Sequence, residues 1–146
     1  MLSRQANHAL RALLELAAEP AHWRSTHELA RAQQLPEPML EQILLRLRRA
    51  GLLVARRGRL GGFRLAMTAE KISIATVLAA VEGSINDDKQ KSCLNQSAIE
   101  CVTRKLQKQL ERAQQRALEQ VNLEELLFDL QSAEAGNEAD QGLLFC

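Results

Sequence analysis

Apolar residues recur at helical spacing over residues 4–18, where Leu10, Leu13, Leu14 and Ala17 fall at i, i+3, i+4 and i+7 on one face. Pro20 ends that helix. Ser25-Thr26-His27-Glu28 reads as a capping box, with the Ser25 hydroxyl and the Glu28 carboxylate each satisfying a backbone N–H. It opens a short helix over about residues 26–33, packed by Leu29 and Ala30, and Gln34-Leu35 makes the turn that follows. Pro36 and Pro38 begin the next helix, where a missing N–H costs nothing. Leu40, Ile43, Leu44 and Leu47 form its apolar stripe, and Gly51 is its C-cap. The period then drops to two. Leu53–Arg57 and Phe63–Met67 read as strands, the second with Phe63, Leu65 and Met67 on one face and Arg64 on the other. Gly58, Gly61 and Gly62 allow the positive φ angles of a tight turn between them. Ser73 caps a further helix, carried by Ile74, Val77, Leu78 and Val81 and stopped by Gly83.

After the polar run GSINDDKQKS, Ser97-Ala98-Ile99-Glu100 is a second capping box, and the helix it opens runs to about Gln120. Ile99, Val102, Leu106, Leu110, Ala113 and Ala117 step by three and four along it and form one narrow seam. A helix of more than about twenty residues with only such a seam pairs with another helix. In a chain of 146 residues the natural partner is a second copy, giving a two-fold homodimer. Asn122 with Glu125 opens a last short helix bearing Leu126, Leu127 and Leu130, and the acidic stretch from Ser132 is expected to be mobile. The predicted fold is therefore mainly α with a small β-hairpin. Residues 1–85 form a winged helix-turn-helix domain, 86–131 a cysteine-bearing loop and dimerisation helix, and 132–146 a tail.

Charge sharpens this picture. The formal net charge is only +1, yet residues 1–85 carry 12 Lys/Arg against 7 Asp/Glu and residues 86–146 carry 7 against 11. The basic half suits a polyanion and the acidic half does not. Between Arg46 and Arg64 lie seven arginines (46, 48, 49, 56, 57, 59 and 64) and no acid. An acid-free run that coincides with helix, turn, helix and glycine wing, in that order, points to double-stranded DNA. In such a domain the first turns of the second helix meet base edges. Glu41 and Gln42 stand there; Glu accepts from the cytosine amino group, and Gln pairs twice with adenine. Arg57 and Arg59 flank the wing turn, where an Arg can enter a narrow minor groove. Arg46, Arg49, Arg56 and Arg64 are placed to hold phosphates. No run of about 18 apolar residues offers a membrane span, the N-terminus lacks the apolar core of a signal peptide, and three cysteines suggest cytoplasmic thiols rather than a disulfide framework. No phosphate-cradling glycine motif or acid/base set marks an enzyme.

These residues resemble the IscR/NsrR/CymR-type family of bacterial winged-helix regulators. The resemblance is carried by Leu2-Ser3 with Ala9-Leu10-Arg11-Ala12-Leu13, by Leu40-Glu41-Gln42-Ile43-Leu44, and by Arg46-Leu47-Arg48-Arg49-Ala50-Gly51-Leu52. The wing Arg57-Gly58-Arg59-Leu60-Gly61-Gly62-Phe63 and Ala80-Val81-Glu82-Gly83 complete it. It implies a homodimer on a dyad-symmetric promoter site, with the long helices crossing at the interface. It also implies base contacts from Glu41 and Gln42 and minor-groove entry by Arg57. A serine common in the family is replaced here by Pro38.

Many members hold an iron–sulfur cluster on three cysteines before the dimer helix. This chain has Cys93 and Cys101 there, lacks the middle cysteine, and has Arg104 where some members carry a ligand histidine. Cys101 sits near a helix N-terminus and just before Arg104 and Lys105, which favours a thiolate. It falls off the apolar seam, on the face with Lys105, Lys108 and Arg112. Two cysteines leave a cluster's four-ligand set incomplete. In some relatives a first-helix side chain of the other subunit completes it; Asn7 and His8 occupy that region, and imidazole suits iron, so His8 is the candidate third ligand. Cys146 is a possible fourth ligand or a stray thiol. The resulting expectation is DNA binding modulated by a cluster, 2Fe–2S by the resemblance, at Cys93 and Cys101. A thiol/disulfide switch or a metabolite is the alternative, and an adaptor that engages a partner enzyme is the alternative of another class.

Overall fold

The computed structural model describes residues 2–83 and 97–144, with side chains to residue 138. Its elements are α1 (Arg4–Ala18), α2 (Thr26–Gln33), α3 (Glu37–Arg49), β1 (Leu53–Arg56), β2 (Gly62–Leu65), α4 (Ile74–Glu82), α5 (Ala98–Glu119) and α6 (Leu123–Leu144). A single 3-10 turn at Ala69–Lys71 leads into α4.

Helix α1 is the hub. Capped by the Ser3 hydroxyl, which accepts from the Ala6 N–H, it buries Ala6, Ala9, Leu10, Ala12, Leu13, Leu16 and Ala17. Against this wide small-and-large face pack α2, α3, α4, α6 and β2. Leu29, Leu40, Leu44, Leu47, Ile72, Val77, Val81 and Leu123 complete a core that excludes water. Each such side chain removed from water contributes roughly 1.5–3 kcal/mol, which is the main force holding α3 in its orientation.

The end of α3 follows its sequence closely. Gly51 lies at φ +79°, the Leu52 N–H donates to the Leu47 carbonyl at 3.1 Å, and the Gly51 N–H donates to the Arg48 carbonyl at 2.9 Å. This left-handed cap turns the chain directly into β1. Helix α2 ends the same way on a less suitable residue. Gln34 takes φ +55°, and the Leu35 N–H donates to the Ala30 carbonyl at 3.0 Å.

The last part of the chain is tied to the first by two backbone bonds. The Ile74 N–H donates to the Val121 carbonyl and the Leu123 N–H to the Ile72 carbonyl, both at 2.9 Å. Ser73 and Asn122 thus form an antiparallel bridge, and fully buried Leu123 anchors the α5–α6 junction beneath α4. Asn122 caps α6 as expected, accepting from the Glu125 N–H at 2.9 Å. Helix α6 is longer than its periodicity suggests: where a short helix and then a mobile tail are expected, it continues through residues 132–144. Only its first turns, through Leu123, Leu126 and Leu127, meet the core.

Candidate nucleic-acid interface

The α2–turn–α3 unit is held at both ends. Ser25 Oγ accepts from the Glu28 N–H at 3.1 Å. The other half of the expected capping box does not form, because the Glu28 carboxylate turns to Arg24 Nε at 3.3 Å. His27 Nδ1 meets Glu37 Oε2 at 3.3 Å and links the first turns of the two helices. Leu40, Ile43, Leu44 and Leu47 face inward, so Glu41 and Gln42 face solvent, with no hydrogen bond or ion pair to the described chain. Arg48 and Arg49 are exposed in the last turn, where cations suit the helix dipole.

The wing is a hairpin in the register Leu53↔Leu65, Val54↔Arg64, Ala55↔Phe63 and Arg56↔Gly62. It is shorter than expected: Arg57 and Met67 lie outside the strands, and Met67 is exposed rather than sharing the inward face of Leu65. Its glycines serve two purposes. Gly58 at φ +108° supplies the turn, closed by the Gly61 N–H donating to the Gly58 carbonyl at 3.1 Å. Gly61 does not take a positive φ; it is required because a Cβ there would strike the Arg56 carbonyl. Gly62 needs both freedoms, having φ +141° and the Arg24 carbonyl where a Cβ would stand. That close approach exists because Arg24 and Phe63 exchange backbone hydrogen bonds of 2.8 and 3.0 Å, adding a one-residue third strand to the wing. Arg57, Arg59 and Leu60 are exposed around the turn, Leu60 to 81 %.

Of the four arginines expected at phosphates, the structure treats three alike and one differently. Arg49, Arg56 and Arg64 have no acid partner among the described residues. Arg46, though exposed, is engaged by its own chain: its Nη1 donates to the Val81 carbonyl and to Gln5 Oε1, both at 2.9 Å. It thereby caps the C-terminal end of α4 and ties it to α1 and α3. Trp23, which sequence reasoning missed, lies under two of the others. The guanidinium carbon of Arg64 stands 4.5 Å from its ring centroid and that of Arg56 stands 5.6 Å away. A sole tryptophan, beside the capping residue of a chain with only 3% aromatics, was the available signal.

On α5, the capping box is complete, with Ser97 and Glu100 each bonded to the other's backbone N–H at 3.3 and 3.1 Å. The seam lies open: Ile99, Val102, Leu106 and Leu110 are exposed by 55–76 %, Ala113 and Ala117 are exposed too, and no residue of α5 is buried. Half-buried Cys101 lines a shallow recess of about 300 Å³ with Arg104, Lys105, Lys108, Gln109 and Arg112, on the face expected for it. Cys93 and Cys146 lie outside the described residues. His8 is half-buried, and its Nδ1 is enclosed without a hydrogen-bond partner, so Nε2 is the atom that could serve as a ligand. Among the described residues no three His, Cys, Asp or Glu side chains gather to hold a metal ion. The described residues therefore do not by themselves fit an iron–sulfur cluster. No helix among them is long and apolar enough to cross a membrane.

Known proteins share this arrangement. An HTH-type transcriptional regulator of Synechocystis is 35% identical over 135 residues, 92% of each chain. The HTH-type transcriptional regulator IscR of Vibrio parahaemolyticus is 34% identical over 119 residues, 80% of this chain and 70% of its own. Among solved structures, T. potens IscR superposes with a TM-score of 0.72 at 28% identity, covering 91% of this chain and 90% of its own. CymR, the global cysteine regulator of B. subtilis, superposes with a TM-score of 0.69 at 26% identity, covering 87% and 95%. The model of the Rrf2 family, described as iron-dependent transcriptional regulators, matches residues 2–129. With the winged helix-turn-helix in place and most of its length matched by that model, the chain is a member of the Rrf2 family of transcriptional regulators.

Proposed function

We propose that two copies of this chain pair through α5, bind a dyad-symmetric DNA site, and receive their signal at the loop that precedes α5. The observation that carries the DNA reading is the outward set on α3 and the wing: Glu41 and Gln42 at the start of the helix, Arg57 and Arg59 at the turn. Glu41 and Gln42 read base edges in the major groove, and Arg57 and Arg59 enter the minor groove. Arg49, Arg56 and Arg64 hold phosphates; Arg46 is left out of that set by its bonds to Val81 and Gln5. The exposed seam from Ile99 to Ala117 supports pairing, since one copy alone leaves that whole stripe in water. Selection from a random duplex pool tests this. An enriched inverted repeat is expected, its half-sites about one helical turn apart or a multiple of it. No enrichment at low salt would count against the reading.

Control falls to Cys93 and Cys101. An iron–sulfur cluster, 2Fe–2S, is the first reading, supported by the family's description as iron-dependent. It needs ligands beyond the described ones, with His8 of a second copy as the candidate. A visible absorption spectrum after anaerobic reconstitution, with and without Cys93→Ala, decides it; a colourless, iron-free protein rules it out. A reversible Cys93–Cys101 disulfide is the second reading, favoured by the basic recess of Arg104, Lys105, Lys108 and Arg112 around Cys101, a setting that suits a reactive thiol. Mass spectrometry after peroxide then finds the bridge.

A further inference from the structure

On the outer face of the wing sheet, Trp23, Arg56 and Arg64 form a cluster that the family's reading motif does not include. The Arg24–Phe63 pair sets the register of the segment before α2 against β2, so that Trp23 falls beside Arg64. The side chain of Arg24 is already matched by Glu28 at 3.3 Å and Glu15 at 3.9 Å, which fastens that segment to α1 and α2. Both guanidinium groups then lie within about 6 Å of the centroid of the same indole ring, the range of a cation–π contact.

We propose that Trp23 is a positioning residue for DNA binding, its indole holding Arg56 and Arg64 as a preformed pair that receives a backbone phosphate beside the wing. The inference rests on the DNA-binding reading above. Two like charges share one ring, and no acid among the described residues neutralises either. Their mutual repulsion is relieved by an anion placed over both, and a phosphate matches the fork geometry of a guanidinium. An Arg already ordered on an aromatic face loses less side-chain freedom on binding than one that is free to move. The indole thus acts on affinity without adding any charge.

That distinction makes the test. Affinity for a mixed-sequence duplex of about 30 base pairs is measured between about 50 and 200 mM salt. Trp23→Ala is expected to weaken binding about tenfold while leaving the salt slope unchanged, because every cation remains. Arg56→Gln with Arg64→Gln should reduce the slope by about 0.9, the loss of the one phosphate contact that the pair shares. Adding Trp23→Ala to that pair should change affinity by less than about twofold, since the indole then has nothing to hold. Trp23→Phe, which keeps a ring, should retain most of the affinity, whereas Trp23→Leu, which keeps only apolar bulk, should behave like Trp23→Ala. Equal behaviour of the Phe and Leu variants overturns the inference, as does an undiminished effect in the doubly substituted background; both mean that Trp23 merely packs. No binding by the unsubstituted chain overturns the DNA reading, and the role of Trp23 falls with it. Emission from Trp23, the sole tryptophan, gives an independent readout and should change when duplex is added.

Discussion

Arg46→Met separates the two roles open to the first arginine of the acid-free run. Arg46 Nη1 makes two hydrogen bonds of 2.9 Å, one to the part-buried Val81 carbonyl at the end of α4 and one to the exposed Gln5 amide. A hydrogen bond from a charged donor contributes about 1.5–3 kcal/mol, and the exposed Gln5 bond much less. A cation at a helix C-terminus adds a few tenths more. Methionine keeps the aliphatic stem and loses both donors, so the structure predicts a destabilisation of about 2 kcal/mol. Urea unfolding at a single protein concentration measures it, as a lower midpoint at constant slope. In parallel, the salt dependence of DNA affinity should be unchanged, because no phosphate contact has been removed. An unaltered midpoint together with a salt slope smaller by about 0.9 would refute the structural role and restore Arg46 to the phosphate set.

The remaining expectations concern the turn, the wing and the seam. Gln34→Gly should stabilise the domain by about 0.5–1 kcal/mol: the left-handed conformation costs an L-residue roughly 1–2 kcal/mol, and the greater freedom of glycine in the unfolded chain offsets part of the gain. A lower urea midpoint would contradict it. Gly62→Ala should cost about 3 kcal/mol or more, because the new Cβ meets the Arg24 carbonyl in a conformation that L-residues avoid. Faster amide exchange at Arg24 and Phe63, whose N–H groups make that pair, would report the opened third strand, and unchanged protection there would contradict the contact. Leu106→Glu with Leu110→Glu should raise the dimer dissociation constant by at least about a hundredfold, since unpaired carboxylates would enter the interface. Sedimentation velocity reads this, and an unsubstituted chain that stays monomeric would reject the seam as an interface.

Most of the fold is legible along the chain because its determinants are local. The limits of α1, the Ser25, Ser73, Ser97 and Asn122 caps, the Gly51 terminus and the apolar stripe of α3 each depend on residues within one or two turns. Periodicity finds them for that reason. The solvent position of Glu41 and Gln42 follows at once, because Leu40, Ile43 and Leu44 leave them no other side. The departures share the opposite cause. Glu28 abandons its capping bond for Arg24, and α6 extends where the amino-acid pattern suggested a tail. The first depends on a neighbouring side chain brought near by the fold; for the second, neither composition nor periodicity revealed the helix.

The chain alone also settled that a basic helix and hairpin stand together, since fourteen residues without an acid, from Arg46 to Arg59, span the end of α3, β1 and the wing turn. It could not divide labour among those arginines, because a guanidinium looks the same in sequence whether it faces phosphate, a carbonyl or an indole. Only the tertiary structure did so. Arg46 lies 35 positions from Val81 and 41 from Gln5, yet bonds to both. Trp23 reaches Arg56 and Arg64 through the backbone pair that Gly62 makes room for. Contacts of that separation are set by the packing of α1, α3 and α4 around one core, and that packing is what gives each cation its task.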